Sequence, residues 1–262
     1  MSVDAGGPGP SGDGRPADDP PVDPAARRAA LAAALGRLDE RVVAACDLAG
    51  RPREAVRVVV TTKTWPASDV RHLAALGVRD VGEARAQEGG AKREEVLAAG
   101  GDGVADLRWH VLGRLQRNKA GAVASWASLV HSCDSERLAA ALDRGARAAG
   151  RVLPVLVQVD LDGDGDEARG GVPVAVAGAV VDAVAGAEGL RLDGVMAVAP
   201  LGADPAAAFA RLADVAARVR ADHPDAVVVS AGMSDDLEQA VAAGATLLRV
   251  GRAVLGARPP LG

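Results

Sequence analysis

The chain of 262 residues is long enough for one large α/β domain or two small ones, and its apolar share of 49% is ample for a core over most of that length. One Phe, three Trp and no Tyr argue against base-stacking nucleic-acid folds and aromatic-lined carbohydrate grooves, and they remove tyrosine as an acid or base. The net charge of −5 gives no general attraction to nucleic acid or to an anionic membrane.

Residues 1–24 are rich in Gly, Pro and Asp and read as a disordered tail, leaving 25–262 as one domain. The tail has no apolar segment of the signal-peptide kind, and no later run is apolar enough to span a membrane, so a cytoplasmic protein is expected. Asp23-Pro24 suits a helix start, and apolar residues recur at helical spacing from there to about Leu48. The next run, Val56 to Thr62, is β-branched and ends on Lys63-Thr64-Trp65-Pro66, where proline forbids the ladder from continuing. After it, strands are predicted at 79–82, 108–112, 129–133, 154–160, 192–197, 226–230 and 246–250. Helices are predicted near 67–76, 84–98, 116–124, 135–149, 173–187, 204–221 and 234–243. Cys46 and Cys133 fall in a helix and a strand, far from metal-like spacing, and read as core thiols.

Alternation of this kind implies parallel strands with right-handed crossovers. Eight strands in a chain of this size match a (β/α)8 TIM barrel, with the N-terminal helix filling the place of a missing eighth helix. A doubly wound open sheet is the competitor, weakened in its dinucleotide form because no G-x-G-x-x-G follows the first strand.

In a barrel, the C-terminal strand ends converge on one face. Lys63 would stand at that mouth, where a partly desolvated amine can condense with an aldehyde; its bland reading is a surface lysine beyond a strand end. Ser230 to Asp236 follows the seventh strand, with Ser234 as a helix N-cap and Gly232 permitting close approach of a ligand. Arg249-Val250-Gly251-Arg252 follows the eighth, and the two loops together read as a phosphate cradle. His110 reads equally as a satisfied core histidine or as a ligand, and the basic turn Arg114 to Lys119 as a solvated helix start or as donors facing the mouth. Four His without acidic or Cys partners at metal spacing point to no metal site, and Asp162 to Glu167 resembles a calcium loop only superficially. An amine beside a phosphate site suits either a phosphosugar aldolase or pyridoxal phosphate (PLP) held on the lysine.

Seven motifs run in order along the chain: Thr62-Lys63-Thr64-Trp65-Pro66, Gly82-Glu83 with Gln87-Glu88, Trp109 to Lys119, Val157-Gln158-Val159, Leu192 to Met196, Ser230 to Asp236 and Gly244 to Gly251. The ordered set resembles one family, the PLP homeostasis proteins (YggS/PROSC family). The resemblance implies a barrel similar to the N-terminal domain of alanine racemase, with PLP carried as an imine on Lys63. It implies phosphate contacts from Ser234, Gly251 and the backbone at Arg252, Arg249 near the pyridine nitrogen, and Asn118 and Met196 lining the pocket. It further suggests a monomer that exchanges PLP with PLP-dependent apoenzymes and has no catalytic residues of its own.

Ala84, Ala231 and Arg169 depart from the family pattern, which has Asn, Met and a loop lysine at these places. Arg169 puts in doubt any second, covalent handling of PLP by that loop. An amino-acid racemase is the alternative reading, but it needs a further β domain and an opposite-face tyrosine, and the chain has no Tyr. A Schiff-base aldolase is the other, lacking here an evident acid/base pair beside Lys63.

Overall fold

A computed structural model describes residues 23–161 and 170–257. Residues 1–22 of the expected tail 1–24, the acidic loop Asp162 to Glu167, and Arg169 lie outside the described residues, whereas Asp23 and Pro24 belong to the start of the first helix and not to a tail.

Nine strands occur in chain order among the described residues: β1 (Arg57–Thr61), β2 (Asp80–Glu83), β3 (Arg108–Val111), β4 (Leu129–Cys133), β5 (Leu153–Asp160), β6 (Val172–Pro173), β7 (Leu190–Met196), β8 (Val228–Ser230) and β9 (Leu247–Val250). All pairings are parallel, in the order β4-β3-β2-β1-β9-β8-β7-β5. Two pairings decide between barrel and open sheet. β1 joins β9 from Arg57↔Leu247 to Val60↔Val250, and β4 joins β5 through Val130↔Val155 and Cys133↔Val157. The sheet therefore closes on itself as a (β/α)8 barrel. The two-residue β6 hangs on the end of β5 and was not expected from the sequence, being too short to carry a period.

The helices are α1 (Pro24–Leu48), α2 (Ala67–Ala75), α3 (Ala86–Ala99), α4 (Ala120–Trp126), α5 (Glu136–Ala148), α6 (Ala177–Ala185), α7 (Pro205–Asp222), α8 (Leu237–Ala242) and α9 (Arg252–Leu255). Asp23 accepts from the Ala25 N–H at 3.0 Å and Pro24 opens α1, as the sequence implies. Leu31, Ala34, Leu38, Val42 and Ala45 form one buried stripe, packed on α2, α8 and α9. Burying a Leu or Val contributes about 1.5–3 kcal/mol, so this seam easily outweighs the roughly 1 kcal/mol cost of Gly36 inside the helix. Among the described residues β9 is followed by the single turn α9 alone, and α1 completes the ring beside it, as the sequence implies.

The core has an inner and an outer layer. Val59, Leu129, Leu156, Met196, Val228 and Leu247 meet inside the barrel, while a larger apolar layer lies between strands and helices. Asp80, His110, His131, Ser230 and Arg249 are also buried. Polar groups at such positions must bond one another.

Candidate functional site

Lys63 stands two residues past the end of β1, in a turn closed by the Trp65 N–H donating to the Thr62 carbonyl at 3.1 Å. The turn puts Thr64 at φ +68°, the one non-glycine with positive φ among the described residues. A β-branched residue resists that conformation by about 1–3 kcal/mol, so the surroundings must impose it. They do so from two sides. Thr62 donates its N–H to Gly82 at 2.9 Å and its hydroxyl to Glu83 Oε1 at 2.6 Å. Lys92 Nζ from α3 donates to Glu83 Oε1 at 2.7 Å and to the Thr62 carbonyl at 2.8 Å. On the other side, Arg27 of α1 lies over the Trp65 ring at 4.8 Å and donates to both Asp69 oxygens and to the Leu255 carbonyl. One arginine thus ties the lysine turn to the end of α9. Lys63 itself is half-buried.

The two glycine-bearing loops meet beside it. Ser234 Oγ accepts from the Ala253 N–H at 3.2 Å, which joins the loop after β8 to the start of α9. Ser234 is therefore not the N-cap of α8: the helix begins at Leu237, and Asp236 folds back to accept from the Met233 N–H at 2.5 Å. Arg252 and Asp235 make an ion pair across the same two loops. Gly251 abuts β1, where an added Cβ would lie 3.3 Å from the Thr61 carbonyl oxygen. The role expected for Gly232 also changes. Its φ is +89°, and a Cβ there would meet Ala240 at 2.6 Å and Leu248 at 2.8 Å, so it is glycine for packing under α8.

Arg249 points into the barrel and is almost wholly buried. It donates to Ser230 Oγ at 2.7 Å and to the Ala197 carbonyl at 2.8 Å. Burial pushes its guanidinium down to about 10, against the opposing charge of Asp236, so it remains a cation at neutral pH. Behind it, Ser230 Oγ lies 2.9 Å from His131 Nδ1, His131 Nε2 lies 2.9 Å from His110 Nδ1, and His110 Nε2 lies 2.9 Å from Asp80 Oδ1. His110 is thus a satisfied interior histidine. His131 was missed; its one sequence signal is a histidine at the centre of a fully buried strand.

Residues 34–259 match the family described as alanine racemase, N-terminal domain. A pyridoxal phosphate homeostasis protein of Mycobacterium tuberculosis is 47% identical over 245 residues, covering 88% of this chain and 94% of the relative. The chain belongs to the pyridoxal phosphate homeostasis protein family. The Escherichia coli member is 33% identical over 231 residues, covering 86% of this chain and 95% of its own. A solved structure of PipY from Synechococcus elongatus, with PLP bound, superposes with a TM-score of 0.74 at 33% identity, covering 86% of this chain and all (100%) of PipY.

Of the other residues expected in the site of a pyridoxal phosphate homeostasis protein, Met196 lies next to this group and Asn118 apart from it. Met196 is buried in the inner barrel layer, in register with Ser230 and one residue before the carbonyl that Arg249 grips. It forms the floor under Arg249. Asn118 is exposed, in a short turn after β3, and lines an open cavity of about 1230 Å³ with Arg85, Arg114, Lys119 and Arg137. Lys63, Ser234, Arg249 and Gly251 do not line that cavity. Its walls come from the segments after β2, β3 and β4 and carry Glu88 and Asp134 beside the arginines, with Arg114, Gln116, Arg117 and Asn118 of the basic turn exposed along it. Of the departures from the family pattern, Ala84 is pinned against Gly113, where a Cβ would meet its carbonyl oxygen at 2.1 Å, and Ala231 is buried. Among the described residues, no group of three or more His, Cys, Asp or Glu could hold a metal ion, and no helix is long and apolar enough to cross a membrane.

Proposed function

We propose that this chain binds pyridoxal 5′-phosphate through Lys63 and works as a carrier in PLP homeostasis, without substantial turnover of its own. The observation that carries the reading is the placement of the Lys63 turn against the Gly251 loop, with the Arg249 cation buried beside them. The PLP-bound state of PipY supports it.

The donor set fits the group. Lys63 offers the amine to which the aldehyde attaches. The Ser234 hydroxyl and the N–H groups of Gly251 and Arg252, at the start of α9, suit the phosphate. Arg249 uses two of its donors on Ser230 and Ala197 and has others left for the ring nitrogen. Asn118 and Met196 complete the residue set, Met196 from below and Asn118 from the rim. When bound, PLP supplies an electrophilic carbonyl and an electron-withdrawing ring. Arg249 limits the second property, because a guanidinium donates a hydrogen bond to the ring nitrogen without giving up its proton. That favours holding over carbanion chemistry. The partners would be PLP-dependent apoenzymes, the protein a cytoplasmic monomer, and the domain residues 25–262.

Visible absorption of the purified protein, followed by borohydride reduction and peptide mapping, tests this. An imine band with a pyridoxyl group fixed on Lys63, and lost in Lys63→Ala, is the expected result. A colourless protein that takes up no added PLP would overturn it and favour a phosphosugar aldolase.

A further inference from the structure

The buried row running from Asp80 to Arg249 has only one consistent arrangement of its protons. Arg108 grips Asp80 at both oxygens, at 2.7 and 2.6 Å, so the carboxyl is ionised and can only accept. His110 must then carry its proton on Nε2 and donate it to Asp80 Oδ1. Burial keeps His110 and His131 neutral, His131 more strongly, so each ring has one bare nitrogen. His110 Nδ1 is bare and accepts from His131 Nε2, and His131 Nδ1 is bare and accepts from the Ser230 hydroxyl. The single Ser230 proton is then spent, and its oxygen faces Arg249 as an acceptor. Starting from the other end gives the same answer. A guanidinium has no acceptor, so Ser230 must accept from it and donate onward. No buried side-chain N or O atom among the described residues is left without a partner.

We propose that Asp80, His110, His131 and Ser230 act as positioning residues for Arg249, Asp80 setting the tautomers of both histidines so that Ser230 Oγ always meets the guanidinium as an acceptor. Resting on the PLP reading above, this relay aims the remaining Arg249 donors at the ring nitrogen. The relay starts on the opposite end of the barrel from the mouth, where Asp80 and Arg108 border a second cavity of about 460 Å³. Residues remote from the cofactor thereby fix the group that tunes it. The row passes from β2 through β3 to β4 and then crosses the barrel interior to β8 and β9, so the closed barrel is what brings it together.

Two measurements test this separately. In cofactor-free protein, nitrogen-15 NMR of the imidazoles at neutral pH should show His110 and His131 both neutral and protonated on Nε2. A proton on either Nδ1, or an imidazolium, would overturn the relay. For the link to the ring, PLP and its 1-deaza analogue, with C–H in place of the ring nitrogen, are titrated into wild type, Ser230→Ala and His131→Leu. The variants should lose about tenfold in PLP affinity, the worth of one hydrogen bond to a charged group, with analogue affinity unchanged. Equal losses of both ligands would mean a merely structural role, and no loss of either would mean no role; both outcomes overturn the positioning claim. A wild type that takes up neither aldehyde refutes the PLP reading and the link to the ring with it, while the NMR result still decides the relay.

Discussion

Gly251 lies against Thr61, so that a methyl group in place of its hydrogen would sit 3.3 Å from the Thr61 carbonyl oxygen. The contact sets how closely the α9 loop approaches the strand that leads to Lys63. At φ −113° the backbone accepts any residue, so the restriction is steric alone. Gly251→Ala should fold with a stability change within about 1 kcal/mol, and Gly251→Val should lose more. Both should widen the gap between cradle and lysine, so PLP affinity should fall about tenfold while affinity for pyridoxal, which lacks the phosphate, holds. Equal loss of the two ligands would show that Gly251 serves the fold and not the phosphate.

Lys92 and Glu83 form a buried ion pair at 2.7 Å, with side-chain exposures of 13% and 1%. Replacing Lys92 by Met removes the cation that faces the buried Glu83 carboxyl and leaves it the Thr62 hydroxyl as a partner. Breaking a buried pair from one side costs roughly 3–5 kcal/mol, whereas removing both charges often costs little. Urea denaturation should therefore show Lys92→Met far less stable than wild type, and the double variant Lys92→Met, Glu83→Gln partly restored. The Lys63 turn loses one of its clamps in both variants, so PLP uptake should fall even where stability returns.

How much of this was legible in the sequence differs between fold and site. The strands were readable because each is short, β-branched and bounded by glycine or proline, as at Val56 to Pro66. Closure followed from their number, and with it the neighbourhood of Lys63 and Gly251. The boundaries of α8 were misread because Ser234 looks like an N-cap, while the residue that folds back is Asp236, and only the distance to Met233 reveals it. Lys92 was invisible for a related reason. It is a lysine on a polar helix, and its burial depends on Glu83 reaching it from a neighbouring strand. The relay was the hardest part, since Asp80, His110, His131, Ser230 and Arg249 come from five strands and share no local pattern. Arg249 and His110 stand out singly, but nothing local links them to Asp80, His131 or Ser230.

Cys133 lies at the end of β4, and burial pushes its thiol up to about 12, a shift that a hydrogen bond from the Ser135 backbone opposes and Asp134 assists. Nucleophilic thiolate is therefore scarce in the folded protein at mildly alkaline pH. Cys46 is buried as well, in the inner stripe of α1. Iodoacetamide should leave both thiols unmodified in the native protein and label both once urea unfolds it. Labelling of Cys133 without unfolding would mean that β4 opens locally, and with it the strand that carries His131.

The two interior histidines also set the acid limit of the fold. Burial lowers both below the ordinary 6.5; Asp80 partly offsets this for His110, while His110, Arg249 and Arg57 deepen it for His131. The unfolded chain takes up these protons as pH falls below about 6.5, and the folded chain does not, so stability rises with pH across this window. Each histidine contributes up to about 1.4 kcal/mol per pH unit, lost progressively as pH falls toward its folded value. Asp80 acts lower. Burial would raise its carboxyl, but the hydrogen bonds from Arg108 and His110 prevail and hold it well below 3.8. Its contribution is therefore complete above that value and is lost only as pH falls beneath it. The urea midpoint should accordingly drop steeply from neutral pH down to about pH 5, before any carboxylate effect sets in. His131→Leu should flatten this slope even if its midpoint at neutral pH is lower. A midpoint that stays level across the window in wild type would mean that the folded protein protonates these rings, which the closed row from Asp80 to Arg249 cannot accommodate.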